Sequence, residues 1–308
     1  MENKSKILVL GNRGFLGATL FDHLVKQGES ETIGFNSSTL DLTIPGSHSH
    51  LSEIANKNTT VIVAARAPSQ PDPLKTFNQD LAITCNIVQF LENSPVKKLI
   101  NLSSISVYGE EETDLSISEK TRIAPSSYYG VSKFTTEELL RQAAKEYEIP
   151  LVNLRPCMIY GPGHFGLPYG PDRMVNSLIK SNKVEVFGDG SDRRDFLYIK
   201  DFIEIVKKFI SENCFGTYNL GTGNNYSPME IIQGLQNILG KDFPVIELKR
   251  VKPKINQKLD VSKLREVLKN YVFTSLENGL QQSLNALQSM SSFGASCAAA
   301  SGSTVDDR

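Results

Sequence analysis

The sequence predicts an α/β fold of the Rossmann type, in which a doubly wound parallel sheet is joined to a smaller mixed C-terminal substrate domain. Short apolar segments alternate with longer helical patterns from the start of the chain, as strand–helix–strand repetition requires. Gly, Asn, Ser or Pro bounds each apolar segment, which is typical of parallel strands buried on both faces. A glycine-rich turn follows the first of these segments.

The first half of the chain contains most of the expected sheet. A strand over residues 6–10 is almost fully apolar after Lys6, and a helical pattern follows over residues 15–26. Long helical patterns separate the later apolar segments. Further strands are expected at 32–35, 61–65, 99–102 and 151–154, and further helices at 74–92 and 127–148.

The second half is less regular, because residues 156–192 contain many Gly and Pro. We expect a dinucleotide-binding domain over 1–155, joined by about 193–222, and a substrate-binding domain over 156–192 and 223–288. Residues 289–308 are mostly Ser, Ala, Gly and Thr without periodicity, so a disordered tail is expected. The expected elements are helices near 174–181, 201–211, 228–239 and 274–288 and strands at 196–199 and 218–220.

Composition excludes several classes of function. Lys and Arg number 33 against 34 Asp and Glu, a net charge of −1, so no electrostatic case exists for binding nucleic acid or an anionic membrane. No apolar run is long enough for a transmembrane helix. The four cysteines are far apart and the four histidines are scattered, which favours a reduced cytoplasmic protein without a metal site.

The glycine turn indicates a dinucleotide site. Gly11, Gly14 and Gly17 form G-x-x-G-x-x-G directly after the first strand and at the start of the first helix. A pyrophosphate must approach the backbone N–H groups of such a helix closely, and side chains at these positions would block it. The alternative is a glycine-rich turn that serves packing alone.

The segment after the second strand bears on the choice between NAD and NADP. Asn36 and Ser37 stand where an NAD site usually has an Asp or Glu for the ribose 2′-hydroxyl, and Arg13 in the glycine turn could pair with a 2′-phosphate. NADP is therefore slightly favoured over NAD. The alternative is that Asn36 binds the ribose 2′-hydroxyl of NAD. Asp41 is expected near the adenine, or else caps a turn.

A catalytic pair is expected at the start of the helix over residues 127–148. Tyr129 and Lys133 are four residues apart and so lie on one helix face. A lysine cation beside a phenol favours the phenolate, so the tyrosine can give or take a proton while hydride moves to or from a nicotinamide. Ser103, Ser104 and Ser106 follow an expected strand, at the sheet edge where ligands bind.

With these motifs the chain resembles the extended short-chain dehydrogenase/reductases, in their NAD-dependent epimerase/dehydratase group. The resemblance covers about residues 5–285 and implies enzymes that mostly act on nucleotide-diphosphate sugars. The remaining matching segments are Leu154-Arg155-Pro156, Tyr160-Gly161-Pro162-Gly163, Phe187-Gly188-Asp189-Gly190, Arg194-Asp195-Phe196-Leu197-Tyr198-Ile199-Lys200-Asp201, Tyr218-Asn219-Leu220-Gly221 and Asp260-Val261-Ser262-Lys263.

The resemblance implies a role for each candidate residue. Tyr129 is implied as general acid/base, Lys133 as the residue that binds the nicotinamide ribose, and Ser104 as the hydroxyl that orients the substrate. Arg194 and Arg250 are implied to hold the substrate diphosphate. Ser106 and Met158 are also expected to contact the substrate. The alternative for Arg194 is a surface ion pair with Asp192 or Asp195. The expected cofactor contacts are Gly11, Arg13, Gly14, Phe15, Leu16, Gly17, Asn36, Ser37, Asp41, Leu42, Ala64, Ala65, Asn78, Tyr129, Lys133 and Pro156.

Three departures from the family pattern narrow the function. Ile105 stands where the 4,6-dehydratases have an acidic pair, so dehydration is not expected. Met158 replaces a common Asn that contacts the sugar nucleotide. Ala64-Ala65-Arg66 replaces a common His-x-Ala-Ala, which indicates a modified cofactor pocket.

The leading expectation is NADPH-dependent reduction of a 4-keto nucleotide sugar. An NAD-dependent nucleotide-sugar 4-epimerase is the nearest alternative, followed by a reductase of a non-nucleotide carbonyl and by an inactive cofactor-binding regulator. The resemblance also implies a homodimer through the helices at 74–92 and 127–148.

Overall fold

The computed structural model describes residues 5–109, 114–163, 170–250 and 254–300, with side chains described as far as residue 289. Within these ranges the main sheet has six parallel strands in the order β10-β6-β4-β3-β1-β2. This arrangement confirms the Rossmann-like fold. The strands are β1 (Lys6–Leu10), β2 (Glu31–Phe35), β3 (Thr59–Val63), β4 (Lys98–Leu102), β6 (Leu151–Pro156) and β10 (Gly216–Leu220).

Helices cover both faces of this sheet because its strands are apolar on both sides. Ile7 and Val9 of β1 point into one core with Leu20 and Leu24, whereas Leu8 and Leu10 point into the opposite core. The first core includes the helices α1 (Phe15–Gln27) and α6 (Ile199–Ser211), and the second includes α2 (Ser49–Ile54), α3 (Pro73–Asn93) and α4 (Tyr128–Glu146).

The remaining strands pair as three small parallel sheets beside the main one. They include strands that the sequence did not predict, because three- and four-residue strands have too little periodicity to be recognised. The strands are β5 (Asp114–Ile117), β7 (Met158–Tyr160), β8 (Val184–Phe187), β9 (Phe196–Tyr198), β11 (Val245–Leu248) and β12 (Gln257–Leu259), and the helices are α5 (Gly170–Ser181), α7 (Pro228–Leu239), α8 (Ser262–Leu268) and α9 (Leu276–Ala300).

The end of the chain differs from the sequence prediction. A disordered tail was expected from residue 289, but α9 continues to Ala300, and residues 301–308 lie outside the described ranges. Leu280 and Leu284 bury the earlier turns of this helix in the core. Once those turns are fixed, each further residue adds a hydrogen bond at little cost, and the alanines that follow favour helix.

The order of strands leaves a crevice at the carboxyl edge of the sheet. The chain runs outward from β1 to β2 on one side and from β1 to β3 on the other, and ligands bind outside the strand ends where the order reverses in this way. No helix within the described ranges is both long and apolar enough to cross a membrane. Those residues also contain no group of three His, Cys, Asp or Glu that could hold a metal ion.

Candidate active site

Two glycines of the turn after β1 are required by the packing of the protein itself. Gly11 has φ +96°, and a Cβ there would lie 2.6 Å from the backbone nitrogen of Ala65. A Cβ on Gly17 would lie 2.2 Å from the carbonyl oxygen of Gly11. The backbone N–H of Gly11 also donates to the Phe35 oxygen at 2.7 Å, which ties the turn to the end of β2.

Gly14 differs from its two neighbours. Its φ of −72° suits any residue, and the nearest atom to a Cβ there would be the Gly11 oxygen, 3.7 Å away. Gly14 is also the N-cap of α1 and supplies no side-chain cap. The first N–H groups of a helix need acceptors, so this bare helix N-terminus fits a diphosphate group. The residues present therefore fit the dinucleotide that the sequence predicts.

The residues expected at the adenosine end of the cofactor lie together. Arg13 donates to the Ser38 hydroxyl at 2.8 Å, and Asn36 donates to the Asn12 side-chain oxygen at 3.1 Å. The Asn36 oxygen accepts from the backbone of Ser38 at 3.0 Å. Hydroxyl, amide and guanidinium groups therefore line this end of the crevice, with Ser37 exposed beside them.

Two further residues expected near the cofactor contact other parts of the protein. Asp41 accepts from the backbone N–H and the hydroxyl of Thr43, at 2.9 and 2.7 Å, and so closes a turn. The side chain of Leu42 is buried in the core beneath α2 and α3. Neither observation places a side chain against an adenine ring.

The first turn of α4 packs directly against the serine turn after β4. Ser104 caps a 3₁₀ turn over Ile105–Tyr108, and its hydroxyl accepts from the backbone N–H of Ser106 at 3.1 Å. A Cβ on Gly130 would lie 2.5 Å from the Ser106 carbonyl oxygen. This close approach, which only glycine permits, brings Tyr129 next to the serine turn.

Lys133 is anchored at the end of β4. Its Nζ donates to the Leu102 carbonyl oxygen at 2.8 Å and lies 5.9 Å from the centre of the Tyr129 ring. Burial lowers the pKa of Lys133 to about 8, opposed by the nearby Asp80 carboxylate and assisted by the Arg66 guanidinium. The lysine and the tyrosine therefore face each other as their spacing predicts.

The contribution of α3 to the site differs from the expected one. Asn78, expected to contact the cofactor, is exposed on α3, whereas Asp80 faces inward and is 8% exposed. Its two oxygens accept from the Ser132 hydroxyl at 2.7 Å and from the backbone of Ala67 at 2.8 Å. Asp80 thus holds α3, α4 and the loop after β3 together around Lys133. Its buried position within the helical period of α3 could have indicated this.

A buried ion pair fixes α4 to the sheet, and the sequence analysis missed it. Arg155 on β6 donates to both oxygens of Glu137 on α4, at 2.9 and 2.6 Å. Arg155 also donates to the Tyr108 hydroxyl, which donates in turn to Asn219 of β10. Replacing either partner of such a pair destabilises the protein, because the other charge is left buried without a counter-charge.

The two arginines expected on the substrate diphosphate are in different environments. Arg250 donates to both oxygens of Asp192 at 2.9 Å and to Asp189 at 2.8 Å. Arg194 is half-buried, and its backbone pairs with that of Tyr226. An ion pair of Arg194 with Asp192 or Asp195 stays the alternative to a diphosphate contact; Asp192 also accepts from Arg250, and Asp195 from Thr222 and Gly223.

The other expected residues lie around the same crevice. Ala64 and Ala65 follow β3 and are half-buried, and Pro156 ends β6. Met158 begins β7, where its sulfur would lie 2.8 Å from a Cβ on Gly170. Phe15 and Leu16 belong to the first turn of α1 and pack against the core of that face.

The fold and this set of residues define a class of protein. A Rossmann sheet with a glycine turn after β1, a serine turn after β4 and the Tyr129–Lys133 pair on α4 is the arrangement of the short-chain dehydrogenase/reductases. The chain belongs to the NAD-dependent epimerase/dehydratase family, which it matches over residues 7–221.

Individual relatives modify nucleotide sugars. An uncharacterized UDP-glucose epimerase of Bacillus subtilis is 25% identical over 92% of this chain and 98% of its own length. A GDP-6-deoxy-D-talose 4-dehydrogenase of Aggregatibacter actinomycetemcomitans is 30% identical over 90% and 96%. The crystal structure of UDP-glucuronic acid 4-epimerase from Bacillus cereus, with UDP-glucuronic acid and NAD, superimposes with a TM-score of 0.79 at 26% identity, over 92% and 99%.

These relatives change which of the expected functions is best supported. The chain is an NAD-dependent nucleotide-sugar enzyme of the epimerase/dehydratase type, and the epimerase alternative is better supported than the reductase. A preference for NADP is not established, since the similar structures bind NAD. Because dTDP-glucose 4,6-dehydratases are also relatives, the exclusion of dehydration by Ile105 stays a prediction.

Proposed function

We propose that this protein is a nucleotide-sugar 4-epimerase that keeps its NAD bound. The observation that carries the proposal is the close packing of Gly130 on Ser106, which brings Tyr129, Lys133 and the serine turn to one point of the crevice. The bare N-terminus of α1 at Gly14 supports a dinucleotide alongside them. The relatives that act at C4 support the position of the reaction on the sugar.

The proposed chemistry assigns one task to each residue. NAD would accept and return a hydride at its nicotinamide when bound. Tyr129 takes the proton of the C4 hydroxyl during oxidation and returns one to the same oxygen during reduction. Ser104 holds that oxygen by a hydrogen bond, and Lys133 holds the nicotinamide ribose and favours the phenolate of Tyr129.

The substrate diphosphate would lie toward residues 156–192 and 223–288. Arg194 is the proposed contact. Arg250 now donates to Asp192 and Asp189, so a phosphate oxygen would either use one of its remaining N–H groups or compete with these carboxylates. We further propose a cytoplasmic homodimer.

A reductase that uses NADPH is the second candidate. One observation favours it: Arg13, Asn36 and Ser38 lie together without a carboxylate at the adenosine end. The relative that dehydrogenates GDP-6-deoxy-D-talose at C4 also supports chemistry at this carbon without epimerisation.

The two candidates differ in how they use the cofactor. Purified protein would be denatured, its released nucleotide identified, and the native protein incubated with UDP-glucose and UDP-glucuronic acid without added cofactor. Epimerisation predicts bound NAD and the C4 epimer of one substrate. Tyr129→Phe should retain the nucleotide and lose about 10²–10⁴-fold in turnover. An empty protein that converts only 4-keto sugars with added NADPH would contradict the epimerase, and unchanged turnover in Tyr129→Phe would contradict both candidates.

A further inference from the structure

Arg66 is a cation beside Tyr129 and Lys133, and no carboxylate of the described residues pairs with it. Its guanidinium carbon lies 4.7 Å from the centre of the Tyr129 ring. The side chain donates to the Ser69 hydroxyl at 3.1 Å, and no described carboxylate lies within ion-pairing distance of it. By contrast, Arg155 and Arg250 are both held by carboxylates. Arg66 belongs to the segment that departs from the family's His-x-Ala-Ala.

The charges around Tyr129 come from three elements. Lys133 lies on α4, four residues after the tyrosine, and Arg66 lies in the loop after β3. Asp80 on α3 and Glu137 on α4 act on Lys133 and favour its protonated form, whereas Arg66 disfavours it. Both carboxylates are already engaged, Asp80 by Ser132 and Ala67 and Glu137 by Arg155.

We propose that Arg66 is a positioning residue that acts through Tyr129, as a second and permanent cation that favours its phenolate. The inference rests on the proposed function, in which Tyr129 is the proton acceptor. A cation over an aromatic face is attracted to it, and a nearby positive charge stabilises a phenolate more than a phenol. An arginine stays protonated throughout the working pH range. The field at Tyr129 therefore persists when the neighbouring lysine loses its proton.

The test compares Arg66→Met, which removes the charge, with Arg66→Lys, which keeps it. Arg141→Gln is the matched control, because it removes an exposed arginine from α4, the helix that carries Tyr129. Tyr129 is one of 10 tyrosines, so its ionisation is read as the near-ultraviolet difference between each protein and the same protein carrying Tyr129→Phe. Turnover of the accepted nucleotide sugar is measured across pH in parallel.

We expect Arg66→Met to raise the pH at which Tyr129 ionises by about 0.5–1 unit at low ionic strength, since one partly solvated charge is lost. The acid limb of the turnover profile should move by the same amount and in the same direction. Arg66→Lys should recover at least half of the shift, and Arg141→Gln should behave as the wild type. Arg66 is exposed, so all variants should fold.

Two results would overturn the proposal. One is an unchanged ionisation of Tyr129 in Arg66→Met. The other is weaker NAD binding in that variant with no shift in either titration, which would make Arg66 a cofactor contact only. The absorbance titration needs no substrate, so it tests Arg66 even if no nucleotide sugar is converted and the proposed function fails.

Discussion

Asn36 follows β2, where a dinucleotide site usually has an acidic residue for the ribose 2′-hydroxyl. Its side chain is held on both sides, since it donates to Asn12 and accepts from the backbone of Ser38. Arg13 reaches the same turn through Ser38. No described carboxylate bonds to Arg13, Asn36 or Ser38, so a ribose 2′-phosphate at this end would meet a cation, while a 2′-hydroxyl would lack its usual acidic partner.

Replacing Asn36 by Asp should lower affinity for NADPH relative to NADH by about tenfold, or ~1.4 kcal/mol. A carboxylate would repel a 2′-phosphate and accept from a 2′-hydroxyl, although solvent and salt reduce the effect at this open end. Titrations of both cofactors at one ionic strength measure the ratio. Arg13→Ala should weaken NADPH without improving NADH. An unchanged ratio in both variants would show that the 2′-position is read elsewhere, with Ser37 and Ser38 the next residues to replace.

Asn78 and Asp80 lie in different environments, so the cofactor contact expected of Asn78 stays a prediction. They are two residues apart, so they point in different directions on α3. Asn78 is exposed, while Asp80 is buried against Ser132 of α4. The periodicity of α3 was visible in the sequence, but it could not show that a buried aspartate would find its partners on another helix and in a loop.

The glycine turn is an element in which three similar residues have different tasks. Gly17 is needed for α1 to approach the end of β1, because a Cβ there would strike the Gly11 oxygen at 2.2 Å. Gly14 has no such neighbour. The spacing of the motif gives no indication of this difference, which depends on the backbone that each glycine faces.

Gly14→Ala and Gly17→Ala should therefore affect different properties, namely dinucleotide binding in the first variant and folding stability in the second. Gly14→Ala should leave the free energy of unfolding within about 0.5 kcal/mol of the wild type and weaken dinucleotide binding about tenfold or more, roughly 1.4 kcal/mol. Gly17→Ala should destabilise the fold by about 1–3 kcal/mol through overpacking. Denaturant unfolding and cofactor titration of both variants separate the two effects. Equal loss of stability would refute the distinction.

The N-terminus of α4 carries Tyr129, the proposed proton acceptor, and a serine caps this helix. The Ser127 hydroxyl accepts from the backbone N–H of Gly130 at 3.1 Å. A comparable cap begins another helix, where Ser227 and Glu230 form a capping box at the start of α7. The two helices therefore offer a matched pair of caps with different neighbours.

Ser127→Ala and Ser227→Ala should each cost about 1 kcal/mol of unfolding free energy, since each loses one cap. The turnover number at saturating substrate should fall only in Ser127→Ala, because α4, and not α7, positions Tyr129 and Lys133. The measurements are denaturant unfolding and steady-state rates at saturating cofactor. A similar fall in turnover in both variants would mean that the loss follows general stability and not the position of α4.

At the scale of the whole molecule, a buried carboxylate connects the main sheet to a smaller one. Asp195 precedes β9 and accepts from the hydroxyl and backbone N–H of Thr222, at 2.7 and 3.0 Å, and from Gly223 at 2.8 Å. Those residues follow β10, at the edge of the main sheet. Burial raises the pKa of Asp195 to about 6, although the hydrogen bonds oppose the shift.

This raised pKa predicts a dependence of stability on pH. The folded state holds the proton of Asp195 more tightly than the unfolded chain, whose carboxyl has a pKa of 3.8. The resulting stabilisation is present below about pH 4 and is lost as pH rises through about 6, a fall of about 3 kcal/mol in all. Asp195→Asn should lack this fall, while the surface variant Asp22→Asn should retain it. Parallel unfolding curves for wild type and Asp195→Asn from pH 4 to 7 would refute the assignment.

The main sheet was predictable because its strands can be recognised one by one from their local sequence. Short apolar segments between glycine, proline and polar residues indicate a parallel sheet from local pattern alone. The smaller sheets and the length of α9 were not predictable, because short strands form only when distant segments meet, as β5 meets β12. The helix that continues to Ala300 likewise depends on turns buried at Leu280 and Leu284.

The sequence by itself determined the α/β class, the glycine turn and the facing pair Tyr129 and Lys133, since helical and strand periods and a four-residue spacing are local properties of the chain. Only the tertiary structure decided which charges surround that pair. Arg66 reaches the Tyr129 ring from the loop after β3, and Asp80 faces inward from α3. The tertiary structure also decided that two carboxylates hold the Arg250 guanidinium. Electrostatic interactions depend on distance in space and on burial, neither of which is encoded by position along the chain.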